Sequence, residues 1–192
     1  SDEDMESYDE IIRFISENDL SDDENYRALS EMMDIQSYID FICINMISCN
    51  VDIDNTKNQI IYRSRTGVND EEGDGRFRWG LYDMDAIEWT APYYEEHSLE
   101  SSSQFNLFEE SYLVRYIDLS LYKALRRNAG FTALIKETVY DMAANEYSPE
   151  NAGHMLGKYG KDLSWMESFF EDRDVYVRQF IDEEISRDIN EQ

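Results

Sequence analysis

The chain has 192 residues, 42% of them hydrophobic and 14% aromatic, which is enough apolar surface for one folded core and too much for a disordered chain. Its 17 Lys and Arg against 43 Asp and Glu leave a formal net charge of −26. Beyond conferring solubility, such a field repels phosphate backbones and anionic lipid headgroups, so nucleic acid and membrane surfaces are poor partners, and a Lys/Arg-rich protein or a metal-escorted nucleotide fits better.

The N-terminus, "SDEDMESYDE", has no basic or apolar leader, and no run of about 18 apolar residues follows. The chain as given is therefore expected neither to span a membrane nor to carry a signal, and its abrupt acidic start raises the expectation of a piece of something longer. Tyr8, Ile11, Ile12 and Ile15 predict a helix over Met5–Asn18. "NDLSDDENY" then supplies a stop and a fresh N-cap for a short helix over Asp23–Met33. Ile35, Tyr38, Ile39, Ile42 and Met46 recur at i, i+3, i+4, i+7 and i+11, the stripe of a third helix that ends near Asn50. "NVDIDNTKN" follows as a polar loop.

The pattern then becomes extended. "QIIYR" (Gln59–Arg63) and "RFRWGLY" (Arg76–Tyr82) are β-branched and aromatic, with the turn chemistry of "NDEEGDG" between them, so a hairpin is predicted. Ala91–Ser103 reads as a long loop. Beyond it apolar stripes predict helices over Leu113–Arg127, Phe131–Ala144, Glu150–Phe170 and Val175–Arg187, with "NAG" and "YSPEN" as breaks and "SPEN" as a Ser cap with Pro at the first helical position. No internal repeat or low-complexity segment occurs. The predicted architecture is one domain over residues 1–192, mainly α with a small antiparallel hairpin.

Several chemistries lack their residues. The only histidines, His97 and His154, form no H-E-x-x-H, and there is no C-x-x-C pair or G-x-S-x-G. Cys43 and Cys49, six residues apart on one predicted helix, would have Cα atoms about 9 Å apart, beyond the roughly 7 Å a disulfide tolerates, and are read as packing residues. Asp70, Glu72, Asp74 and Gly75 match the start of a calcium loop, but Leu81 stands where the bidentate Glu is needed, which leaves a solvated turn.

Hard-metal phosphate chemistry remains, because it needs oxygen ligands on rigid elements and a carboxylate to orient the nucleophile. Asp83 and Asp85 end an apolar strand, and Asp52, Asp54, Asn55 and Asn58 lie in the loop before its partner strand. Folding the hairpin brings the two sets together. A helix, an Asp loop with an Asn a few residues on, and a hairpin ending in Asp is the order of the catalytic and metal-binding segment of a protein-kinase lower lobe.

Four segments in order carry a closer resemblance: "NDLSDDENYRALSEMMDIQSYIDFICINMISCNVD", "NQIIYR", "GRFRWGLYDMD" and "NAGFTALIKETVYDMAANEYSPENAGHML". Over nearly its whole length the chain resembles the CotH kinase family, the spore-coat protein H family of atypical protein kinases, whose W-x-x-Y-D-x-D signature is fairly specific. The resemblance implies a helical kinase-like lower lobe, or C-lobe, whose hairpin carries the metal-binding Asp, acting with Mg2+ and ATP on Ser or Thr of a protein. It implies that Asp52 accepts or orients the proton of the attacking hydroxyl, that Asn58 and Asp83 hold Mg2+, and that Asp85 supports the same metal. The Asp52–Asn58 interval is one residue longer than the family's, which leaves Asn55 open as ligand and Asp54 as base, and "AIEW" replaces the aromatic and Gly that usually follow. The family's nucleotide-binding upper part is expected before this region and is not in these residues, so the fragment alone is expected to be inactive. Family members occur in spore coats and among secreted proteins. Two other classes compete: a haloacid-dehalogenase-type phosphatase, suggested by "LYDMD" but opposed by the helices that follow, and a non-catalytic pseudokinase or structural binding module of a coat or extracellular assembly. Acceptor, compartment and oligomeric state are not legible.

Overall fold

The helix formed by Ile35–Ile47 has almost no solvent face. Besides the predicted stripe it buries Phe41, Cys43, Asn45 and Ile47, the pattern of a helix enclosed by its neighbours. The computed structural model describes residues 2–50, 58–64, 73–84, 102–108, 119–158 and 164–187. Among them lie α1 (Asp2–Glu17), α2 (Asp23–Ser30), α3 (Ile35–Ile47), β1 (Gln59–Arg63), β2 (Phe77–Leu81), a 3-10 turn (Ser102–Gln104), α4 (Leu119–Arg126), α5 (Ala129–Ala144), α6 (Pro149–Gly157) and α7 (Ser164–Ser186). The fold is thus mainly α with one antiparallel hairpin, the architecture expected of a kinase-like helical lobe. α3 is its axis, packed against α5, α7 and β2.

Helix starts follow the predicted chemistry. Asp22, Asp34 and Asn128 each sit in extended backbone and accept from amides of the first turn. Ser148 Oγ accepts from the Asn151 amide at 3.3 Å, with Pro149 as the first helical residue. α2 ends at Ser30 rather than Met33. The next residues are diverted into strand-like pairing, where Phe77 donates to the Met32 carbonyl at 3.0 Å and Asp34 donates to the Phe77 carbonyl at 2.8 Å.

That pairing is one of four devices that fasten the hairpin to the core. The Ser37 hydroxyl accepts from the Trp79 amide at 2.8 Å and donates to its carbonyl at 3.3 Å. Phe77 packs edge-on against Tyr8 with centroids 5.7 Å apart, and Trp79 against Tyr38 at 4.8 Å, which makes Trp79 a core residue. The fourth device is ionic. The Arg78 guanidinium forks onto both Asp74 oxygens at 2.9 Å, Arg76 Nε reaches Asp74 at 2.6 Å, and both arginines approach Asp34 Oδ2, at 3.2 and 3.3 Å respectively. Asp74, the described carboxylate of the calcium-loop look-alike, therefore serves a clamp between turn and α3 N-cap; Asp70 and Glu72 lie outside the described residues.

Hydrogen bonds from Arg78, followed by those from Arg76, hold the Asp74 carboxyl well below its ordinary value of 3.8. The folded form thus binds a proton less readily than the unfolded chain. The clamp's contribution is complete above that ordinary value and is lost as pH falls below it toward the folded one. Asp74→Asn is expected to flatten this part of the stability-versus-pH curve, measured by urea unfolding from pH 5 downward. An unchanged acid slope would remove the clamp from the account.

The sequence places a break between Phe170 and Val175, but α7 runs unbroken through "EDRD". That stretch is polar without containing Gly or Pro, and nothing in it forbids helical backbone. Among the described side chains of α7, two charged residues are buried. Glu184 (2% exposed) pairs with Arg126 Nη1 at 3.2 Å and Arg187 Nη1 at 3.0 Å and accepts from the Tyr122 hydroxyl at 3.2 Å. Arg173 is fully buried between the rings of Phe169 and Phe180, 5.8 and 5.6 Å from their centroids.

Candidate functional site

α3 ends in a Schellman motif. Cys49 takes φ 53°, its amide donates to Met46 at 3.1 Å, and the Asn50 amide reaches back to Asn45 at 2.9 Å. Glycine usually occupies such a left-handed position, because a β-carbon there is strained by roughly 1–3 kcal/mol. Surrounding contacts hold it here. Asn50, fully buried, donates from its amide side chain to Asn45 Oδ1 at 2.9 Å and to Met84 Sδ at 3.3 Å. The end of α3 is thereby joined to the residue just after Asp83. Cys49 consequently lies past the helix rather than in it, and both cysteines are buried. Burial, with Asp40 nearby, pushes the Cys43 thiol well up, which suits packing and not nucleophilic attack.

The hairpin pairs Gln59 with Leu81, Ile61 with Trp79 and Arg63 with Phe77. Asn58 comes just before its first paired residue, and Tyr82 and Asp83 follow the last, so Asn58 and Asp83 share the open end. Both have left-handed backbone, φ 60° and 54°, which Asn and Asp tolerate better than other side chains. The three described non-glycine residues with positive φ are Cys49, Asn58 and Asp83. All three border the stretches, outside the described residues, in which the other predicted ligands fall, and strain of this kind gathers at functional sites. The face of the hairpin turned from the core presents Ile60, Tyr62 and Tyr82, all exposed, with Tyr62 lying 3.5 Å from where a side chain on Gly80 would begin.

Of the predicted site residues, Asn58 and Asp83 are thus placed together at one hairpin end, with Asp83 exposed. Asp52, its rivals Asp54 and Asn55, and Asp85 lie outside the described residues. Asp52 is two residues along the chain from Asn50, and Asp85 follows Met84 directly. No group of three or more His, Cys, Asp and Glu that could hold a metal occurs among the described residues. A carboxylate and a carboxamide oxygen are hard donors, the type Mg2+ takes and zinc or copper does not prefer.

Two residues escape the sequence reading. Asn50 appears there only as the end of a helix. Arg173 falls in the gap between the helices predicted over Glu150–Phe170 and Val175–Arg187, yet it lies on the stripe Phe169, Val177, Phe180, Ile181, and a cation on an apolar stripe was the available signal.

A family model described as CotH kinase protein matches residues 1–187. No curated protein and no solved structure matches the chain.

Proposed function

The chain belongs to the CotH kinase family, and from that membership we propose that it is the lower-lobe portion of a protein kinase that moves the γ-phosphoryl group of Mg2+-bound ATP to a Ser or Thr hydroxyl, releasing ADP. The observation that carries this reading is the junction at the hairpin's open end. Asn58 and Asp83 share that end, and Asn50 ties the root of the Asp52 loop to Met84. In this reading Asn58 and Asp83 hold the metal with Asp85 in support, and Asp52 orients the acceptor hydroxyl and takes its proton. Bound Mg2+ would supply neutralisation of phosphate charge, and the residues of the chain supply positioning. The exposed face of Ile60, Tyr62 and Tyr82 offers an apolar surface beside the metal ligands. The net charge of −26 suits a Lys/Arg-rich acceptor protein. Among the described residues no helix is long and apolar enough to cross a membrane, and the family's association with spore coats is the basis for a coat or secreted setting.

Thermal shift separates this reading from a non-catalytic binding module. In the full-length protein, Mg2+ with ATP at about a hundred times its Kd is expected to raise Tm by roughly 5–10 °C, with little shift from ATP plus chelator. No shift under either condition would favour the binding module.

A further inference from the structure

We propose that Arg173 is a positioning residue for this site: its guanidinium fixes the C-terminal end of α3 and, through Asn50 and Met84, sets where Asp83 stands. This rests on the kinase reading for its consequence but not for its geometry. The last turn of a helix leaves four carbonyls without intrahelical donors. The Schellman amides satisfy part of that set, and Arg173 reaches two of the carbonyls, donating from Nη2 to Met46 and from Nε to Ile47 at 3.3 Å. Its Nη1 donates to the Ser103 and Phe105 carbonyls at 2.6 and 2.7 Å, so one side chain of α7 holds the end of α3 and the 3-10 turn together.

The cation also lies where the partial negative charge of α3 gathers, and in a buried setting that attraction is weakly screened. Met46, whose carbonyl takes the Cys49 amide as well, begins a short rigid path. It runs Met46, Cys49, Asn50, Met84, with Asp83 next along the chain. Each step is a covalent neighbour or a hydrogen bond between buried or half-buried groups. A lysine could not serve in the same way. It offers one nitrogen where the guanidinium spreads three over four acceptors that lie on two different segments.

The test compares Arg173→Lys with Arg126→Lys, a second buried cation whose contacts are to α7 and not to the end of α3. In Arg173→Lys, hydrogen exchange at the Cys49 and Asn50 amides should quicken at least tenfold, with Val139 in α5 unchanged. The Mg2+ concentration for half-maximal phosphate transfer should rise at least fivefold, so that excess Mg2+ restores much of the rate. Arg126→Lys should leave that concentration within twofold even if it lowers Tm as much. Equal acceleration of all amides, or none at Cys49 and Asn50, would overturn the proposal. If the full-length wild-type protein transfers no phosphate, the kinase reading falls and the exchange measurement still decides the role of Arg173. Should Arg173→Lys fail to fold, Asn50→Ala breaks the same path further along while sparing the guanidinium and the backbone bonds of the cap, and an unmoved Mg2+ requirement there would equally refute it.

Discussion

Asp83→Asn is expected to lower Mg2+-dependent phosphate transfer by the full-length protein at least about a hundredfold while changing stability by no more than about 0.5 kcal/mol. Asparagine is the informative replacement because of the backbone. Asp83 is exposed with φ 54°, a conformation that Asn adopts about as readily as Asp and that Ala does not. An alanine variant would mix loss of the carboxylate with strain at the hairpin's end. Asn keeps the turn and one oxygen of similar placement and removes only the negative charge that a divalent cation requires. Undiminished transfer by a variant with wild-type Tm would remove Asp83 from the site.

The second large effect concerns stability alone. Glu184→Ala should cost about 3–5 kcal/mol, a fall in Tm of roughly 6–20 °C. The carboxylate is 2% exposed and balances Arg126, itself 4% exposed. Deleting it leaves that guanidinium buried without its counter-charge and the Tyr122 hydroxyl without its acceptor. Arg187, on the surface side, can turn to water and contributes little to the loss. The double replacement Arg126→Met with Glu184→Leu should recover most of the stability, since the cost comes from the stranded charge and not from absence of the pair. Thermal denaturation of the single and double variants decides the matter; equal losses in both would mean the cluster acts by some other route.

Local rules made much of this fold legible. The strand "QIIYR" occupies Gln59–Arg63 as predicted because β-branched and aromatic residues between polar turns have few other options. The Ser148–Pro149 start of α6 follows from a cap and a fixed φ. What escaped was set by distant contacts. The α3 cap has Cys where the motif ordinarily shows Gly, so nothing local marks it, and Asn45 and Met84 decide the conformation instead. α7 continues through "EDRD", the gap between two predicted helices, where Arg173 finds its acceptors on segments far away in sequence. For the site, the register puts Asn58 and Asp83 just beyond the same end of the hairpin, while their role as ligands rests on the proposed function. Their αL backbones, and the junction through Asn50, are tertiary facts with no sequence pattern.

The separation along the chain between Arg173 and Met46 is 127 residues, and it dictates an order of events during synthesis. A nascent chain that has emerged only through α5 already presents α3, the hairpin and Asp83, but the guanidinium that holds the last carbonyls of α3 is still to come. The junction at the end of α3 is therefore completed only once α7 has emerged and packed.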